Sequence, residues 1–130
     1  MSDITDRTKR AWPVAHVDEI PTGTRKLVEV DGRSIGIFNV HGTIVAVLNI
    51  CPHAFAPVCL GRIGGTTQRS APGEFRWGQE GEILFCPWHG WEFELLTGKS
   101  LVDRRHLTLY PVYIEDDTIF VLLPQKSATK

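Results

Sequence analysis

The sequence has no long apolar run and no strong excess of either charge. No stretch approaches the roughly 18 consecutive apolar residues of a membrane-spanning helix, so we expect nothing in the chain to cross a membrane. The formal net charge at pH 7 is only −1, so we expect no nucleic-acid partner. Residues 1–10 are polar and lack an apolar segment, so we expect no secretory signal there.

Cysteine is also scarce. The 130 residues include three, Cys51, Cys59 and Cys86. A small odd number argues against a disulfide framework and for a reducing compartment, so we expect a cytoplasmic protein. The length fits a single domain over residues 1–130, large enough to bury its own core. We expect residues 12–123 to form the ordered core and the two ends to be frayed tails.

Helical periodicity is absent, and apolar residues occur instead in short β-branched runs. Turn signals, of which Asp31-Gly32 is the strongest, separate these runs. They predict an all-β fold, in which Pro13 indicates that the first strand lies at a sheet edge. The predicted strands are residues 12–17, 25–30, 34–38, 43–50, 82–85, 91–95, 107–114 and 118–123.

Glycine and small polar residues dominate residues 61–81, which we interpret as a long loop. Long loops are often functional or mobile. The arginines and aromatics of this segment could contact a partner, or the aromatics could fold back onto the domain, and the sequence favours neither interpretation. The residues concerned are Arg62, Arg69, Phe75, Arg76 and Trp77.

Two short segments each place a cysteine close to a histidine. They read C-P-H at residues 51–53 and C-P-W-H-G-W at residues 86–91. Thiolate and imidazole are ligands of zinc and of iron–sulfur sites, and two such loops side by side would supply two of each. A Rieske [2Fe–2S] cluster needs this set. Zinc is the alternative, although zinc sites usually pair both cysteines in one segment and both histidines in another.

These motifs, with Phe93 and Thr97-Gly98 after them, resemble the Rieske ferredoxin and Rieske-oxygenase family over roughly residues 12–123. The resemblance implies a small antiparallel sandwich that carries a two-loop cluster-binding subdomain. It implies one [2Fe–2S] cluster with two cysteines on one iron and two histidines on the other. The ligands would be Cys51, His53, Cys86 and His89.

Two further expectations come from the same resemblance. The ligand loops of many family members lie closer together in sequence, so we interpret residues 61–81 as an insertion between them. The histidine-ligated iron of the family faces the surface, where an apolar collar would serve for docking. The collar residues would be Phe55, Pro57, Trp88 and Trp91.

The resemblance implies a soluble one-electron carrier rather than an enzyme. It would pass electrons from a flavin-dependent reductase to an oxygenase or another redox enzyme. The other histidines, His16, His41 and His106, are scattered and do not suggest the mononuclear iron site of an oxygenase. Two alternatives stay open: a tightly bound small subunit of a larger oxidoreductase, like that of nitrite reductase, and a zinc-stabilised interaction module.

The resemblance also bears on the reduction potential. High-potential members of the family donate hydrogen bonds to the cluster from hydroxyl side chains, at positions that here are Trp91 and Phe93. They also carry a disulfide between the loops, and Trp88 replaces its second-loop cysteine. These differences predict a potential near the low end of the Rieske range, about −150 mV.

Overall fold

Most of the chain is antiparallel β-sheet. The computed structural model describes residues 9–52, 55–69, 75–88 and 90–124, and its ten strands form three sheets. Two short 3-10 turns are the only helical segments in these ranges. Neither turn is long and apolar enough to span a membrane. The strands are β1 (Lys9–His16), β2 (Arg25–Val30), β3 (Arg33–Val40), β4 (Thr43–Leu48), β5 (Ile63–Arg69), β6 (Phe75–Phe85), β7 (Glu92–Glu94), β8 (Leu109–Tyr110), β9 (Val112–Glu115) and β10 (Thr118–Pro124).

Three hairpins turn through two residues that both have positive φ, which is the geometry of type I′ turns. The predicted Asp31-Gly32 turn has φ values of 52° and 78° and joins β2 to β3. His41-Gly42 joins β3 to β4, and Asp116-Asp117 joins β9 to β10. Glycine, aspartate and histidine are among the residues that enter this region most readily, so these turns are encoded locally.

The central sheet has the strand order β2-β3-β4-β8 and is buried on both faces. Side chains along a strand point alternately to its two faces. On β3, Ile35 and Ile37 therefore belong to one buried core, while Phe38 and Val40 belong to another. This sheet is the middle one of three layers.

The core on the first face, here called the base core, lies against the sheet of order β1-β10-β9. These two sheets form the antiparallel sandwich that the sequence predicts. β1 lies at an edge of its sheet, as Pro13 indicates, because a proline without an N–H is tolerated there. The buried residues of the base core are Ala15, Ile20, Val30, Ile35, Ile37, Ala46, Ile119, Val121 and Leu123.

The core on the second face, here called the loop core, faces the third sheet, of order β5-β6-β7. All three cysteines are buried in it. Their apolar neighbours include Phe38 and Val47 from the central sheet and Leu84 and Phe93 from the third sheet. This layer corresponds to the predicted two-loop subdomain, and the all-β prediction is confirmed.

Residues 61–81 are largely strand, so the interpretation as a long loop was wrong. β5 pairs with β6 from Ile63 opposite Leu84 to Arg69 opposite Phe75, with an irregularity between Gly64 and Thr66. Glycine is compatible with a strand where a bulge relaxes the ladder, and composition alone did not reveal this pairing. That the segment is an insertion stays a prediction, and residues 70–74 lie outside the described ranges.

Pro111 divides the predicted strand over residues 107–114. β8 pairs with β4 in the central sheet, whereas β9 pairs with β10 in the outer sheet, so the chain changes sheets at this proline. At the N-terminus, Lys9 and Arg10 belong to β1 and are not part of a frayed tail. The predictions for residues 1–8 and 125–130 fall outside the described residues.

Candidate metal centre

The first cysteine loop leaves the central sheet after β4. Cys51 is fully buried, three residues beyond the end of the strand. Its N–H donates to the carbonyl of Ala56 at 2.8 Å, and its carbonyl accepts from the N–H of Phe55 at 2.7 Å. These two bonds close the loop at its base and hold the cysteine there.

The second cysteine loop leaves β6 directly. Cys86 follows Phe85 and is 1% exposed. Its N–H donates to the carbonyl of Trp91 at 2.8 Å, and its carbonyl accepts from the N–H of Gly90 at 2.8 Å. In both loops the cysteine N–H donates to the carbonyl of the fifth residue after it, and the cysteine carbonyl accepts from the N–H of the fourth residue after it.

Backbone dihedrals extend this similarity. The fourth residue after each cysteine has positive φ, 58° at Phe55 and 71° at Gly90. Glycine adopts this conformation freely, whereas a side chain costs roughly 1–2 kcal/mol there. The two loops therefore share one backbone conformation, but only the second loop has a glycine, Gly90, at the position with positive φ.

The two loops bring Cys51 and Cys86 into the same core, and neither is in a disulfide. Two buried cysteines from matching loops fit the two-thiolate half of the predicted ligand set. The predicted ligands His53 and His89 lie outside the described residues. Among the residues that are described, no group of three His, Cys, Asp or Glu side chains could hold a metal ion, so His16, His41 and His106 form no such site.

Exposure increases from the cysteines toward the outer parts of the loops. Phe55 is 77% exposed and Trp88 is 61% exposed, whereas both cysteines are buried. Trp91, also expected in the apolar collar, packs against the loop core, and Pro57 is half-buried. The collar at the surface therefore rests chiefly on Phe55 and Trp88.

Cys59 behaves as the small buried apolar residue that its lone position suggests. Its Sγ donates to the carbonyl of Val47 at 3.4 Å, and burial raises the pKa of its thiol to about 12. A Cβ placed on Gly36 would lie only 2.7 Å from this sulfur. Cys59 is thus a neutral packing residue, and Gly36 makes room for it.

Two polar residues anchor the segment after the first loop, and sequence reasoning missed both. The Arg25 guanidinium on β2 donates to the carbonyls of Cys59 and Gly61 at 2.6 and 2.5 Å. The Asn49 side-chain oxygen accepts from the N–H of Cys59 at 2.8 Å. Arg25 is separated from its partners by more than 30 residues, and no local pattern marks such a contact.

We expect Arg25→Met to lower the free energy of unfolding by at least about 2 kcal/mol. The substitution removes two hydrogen bonds from a charged donor, and one such bond contributes about 1.5–3 kcal/mol. Urea unfolding measures this change. Lys26→Met is the matched control, since Lys26 pairs with Glu19 at the surface and such pairs contribute little. Equal effects of the two substitutions would contradict the anchoring role of Arg25.

Arg62 lies next to the same region. Its guanidinium is 3.8 Å from the centroid of the Phe85 ring, the residue directly before Cys86. This cation–π contact shows that Arg62 is engaged within the chain. The side chains of Arg69, Phe75, Arg76 and Trp77 lie outside the described part of the structure, so their predicted roles stay open.

Comparison with known proteins agrees with the fold. The family model for the Rieske [2Fe-2S] domain matches residues 10–111. The ferredoxin component of the naphthalene 1,2-dioxygenase/salicylate 5-hydroxylase systems of Ralstonia sp is 32% identical over 104 residues, covering 78% of this chain and 85% of its own. The 3-phenylpropionate/cinnamic acid dioxygenase ferredoxin subunit of Escherichia coli (strain K12) is 30% identical over 117 residues, covering 88% and 92%.

Among solved structures, one similar chain belongs to a complex of reduced oxygenase and oxidized ferredoxin in carbazole 1,9a-dioxygenase. It has a TM-score of 0.69 and 19% identity, and the match covers 90% of this chain and 96% of that one. At this identity the likeness concerns the fold.

The chain belongs to the Rieske [2Fe-2S] domain family. The predicted cofactor, a Rieske-type [2Fe–2S] cluster, is thereby confirmed, and the zinc module loses its support. The similarity to ferredoxin components of dioxygenase systems confirms the predicted class, an electron-transfer component rather than a catalytic enzyme.

Proposed function

We propose that this protein is the ferredoxin of a dioxygenase system, and that Cys51, His53, Cys86 and His89 hold its cluster. The observation that carries the ligand assignment is the matching pair of loops, each with a buried cysteine at its base. Each loop also places a histidine two or three positions after its cysteine in the sequence. We further propose that the protein works in the cytoplasm, where a cysteine outside the cluster, here Cys59, stays reduced.

The ligand set explains why such a protein can carry single electrons. Two ferric ions, two sulfides, two thiolates and two neutral imidazoles have a formal charge of zero, whereas a four-thiolate cluster has −2. Adding an electron to a neutral group inside a protein costs less than adding it to a dianion. Histidine ligation therefore raises the reduction potential above that of four-cysteine clusters.

The protein would accept one electron from a flavin-dependent reductase and deliver it to a terminal oxygenase. Burial of both cysteines and exposure of Phe55 and Trp88 give the loops a deep side and an outer side. The outer side would receive both partners in turn, since exposed aromatic residues on a polar surface are typical of docking sites.

A reconstituted electron-transfer assay tests this function. The purified protein, with iron and sulfide restored, is combined with the reductase and oxygenase components of a naphthalene 1,2-dioxygenase system. We expect NADH-dependent dihydroxylation of naphthalene that requires this protein and iron–sulfur absorption bands in the visible spectrum. A colourless protein, or a brown protein that the reductase cannot reduce, would contradict the proposal.

The reduction potential provides a separate prediction. Phe93 is fully buried and carries no hydroxyl, so it cannot donate to a cluster sulfur. We expect a midpoint potential of about −150 mV, near the low end of the Rieske range. A redox titration followed by EPR measures it. A value above about +200 mV would indicate a protein that accepts electrons from quinol and would contradict the proposed role as an electron donor to an oxygenase.

A further inference from the structure

A short basic hairpin lies beside the second cysteine loop. Residues 99–101 run antiparallel to β7, along the edge of β7 that does not pair with β6. The N–H of Glu94 donates to the carbonyl of Lys99, and the N–H of Leu101 donates to the carbonyl of Glu92. β7 leads away from the second loop, so these residues run back toward it. The bridge between Lys99 and His106 closes the hairpin, here defined as residues 99–106. Its tip therefore lies at the end of the sheet from which the second loop emerges.

The hairpin concentrates positive charge in a chain whose formal net charge is −1. A surface cavity of about 500 Å³ is lined by three permanent cations, Lys99, Arg104 and Arg105, together with His106. The one carboxylate in the lining, Asp103, lies 3.7 Å from Arg105. Three cations and one carboxylate leave an excess of two positive charges among the lining residues.

Glu94 is close to Lys99 but does not line the cavity, and no ion pair joins these two described residues. Glu94 accepts hydrogen bonds from Gln79 and Thr97, and these bonds, with a smaller contribution from Lys99, lower its pKa. Arg104 forms no ion pair with another described residue. Within the described part of the chain, its charge is therefore left for a group from outside.

Apolar residues are exposed both on the hairpin and on the outer side of the cysteine loops. Val102, at the tip of the hairpin, is 63% exposed, and Leu101 is 39% exposed. Trp88 in the second loop and Phe55 in the first are also exposed. An apolar centre with charged residues around it is the usual composition of a protein–protein interface.

We propose that the basic hairpin is the charged part of the electron-transfer surface, and that it binds carboxylates of an acidic redox partner protein. This inference rests on the proposed function as an electron carrier. Arg104 and Arg105 would attract the partner at long range and orient it, while Trp88 and Val102 would make the close contact. Such charge complementarity raises association rates more than it raises affinity.

Electron transfer to two haem proteins of opposite charge tests the proposal. The reduced protein is mixed in a stopped-flow instrument with the acidic haem domain of a b-type cytochrome or with basic cytochrome c. In each case one electron leaves the protein and reduces ferric haem to ferrous haem. At low salt we expect Arg104→Glu to slow electron transfer to the acidic haem domain about three- to tenfold and to speed electron transfer to cytochrome c. High salt should remove both effects, because it screens charges.

Lys9→Glu is the matched control, with the same change of charge on β1, in a different sheet. It should change both rates less than about twofold, and Arg104→Lys should behave like the unsubstituted protein. Equal slowing by Arg104→Glu and Lys9→Glu, or an unchanged rate with the acidic acceptor, would overturn the inference. In either case the protein would still transfer electrons, so the proposed function would stand.

Carbodiimide cross-linking gives a second readout that needs no electron transfer. The carbodiimide adds to a carboxylate of the acidic haem domain and activates it. The Lys99 amine then attacks the activated carboxyl carbon, so that an amide forms and the carbodiimide leaves as a urea. Mass spectrometry should find Lys99 in the product in preference to Lys9. Equal yields at the two lysines, or a product without Lys99, would contradict the proposed surface.

Discussion

Cys51→Ala and Cys86→Ala should each abolish the bound cluster. Each thiolate supplies a bond to the same iron in the proposed ligand set. The remaining cysteine, Cys59, is not expected to replace it, because its sulfur already donates to the carbonyl of Val47. We expect less than about a tenth of the iron bound by the unsubstituted protein, since even the loss of a residue behind a ligand costs 10–100-fold in metal affinity. Iron analysis and visible absorption of the purified variants measure the loss.

Cys59→Ser is the control for these two substitutions. It changes a buried cysteine in the same core, but one whose sulfur donates to a backbone carbonyl. A serine hydroxyl is also a donor, so we expect the visible and EPR spectra to be essentially unchanged. A colourless Cys59→Ser protein that is still folded, or a brown Cys51→Ala protein, would show that the ligand assignment is wrong.

Gly61→Ala should be strongly destabilising. A Cβ on Gly61 would lie 1.7 Å from the carbonyl oxygen of Phe85, far inside van der Waals contact. Because the obstacle is backbone, the chain after the first loop would have to move away from the residue that precedes Cys86. We expect the free energy of unfolding to fall by about 3 kcal/mol, with weaker retention of the cluster. Urea unfolding and the rate of loss of visible absorption measure the two effects.

Gly64→Ala separates this clash from a general cost of adding a methyl group. Gly64 is also buried, but its Cβ would meet only side chains, the Arg62 guanidinium at 3.1 Å and the Phe85 ring at 3.4 Å. The Arg62 side chain is exposed and can move. We expect this variant to lose less than about 1 kcal/mol. Similar losses in both variants would contradict the close backbone approach at Gly61.

Local sequence predicted much of the fold because each signal involves neighbouring residues. Asp31-Gly32 determines a type I′ turn through its own dihedral preferences, and Pro13 restricts its strand to an edge through its missing N–H. The two cysteine–histidine segments likewise contain the proposed ligands within a few residues. The strand over Arg25–Val30 agrees with its predicted bounds for the same reason.

The β5–β6 hairpin could not be predicted in this way. Its glycines suggest a loop when composition is considered alone, whereas pairing along the length of β5 outweighs that preference. Pro111 shows the same limit. The sequence indicates one strand there, and only the positions of β4 and β10 decide that β8 and β9 join different sheets.

By itself, the sequence determined the all-β class, the local turns and the two cysteine–histidine segments, since these depend on residues close together in the chain. The tertiary structure alone decided which distant residues support the site. Arg25 reaches the carbonyl of Cys59, 34 residues away, and Gly61 meets the backbone of Phe85. The basic hairpin comes to lie beside the second cysteine loop through pairing with β7. Such contacts follow from how three sheets pack, and a single sequence carries no local signal for them.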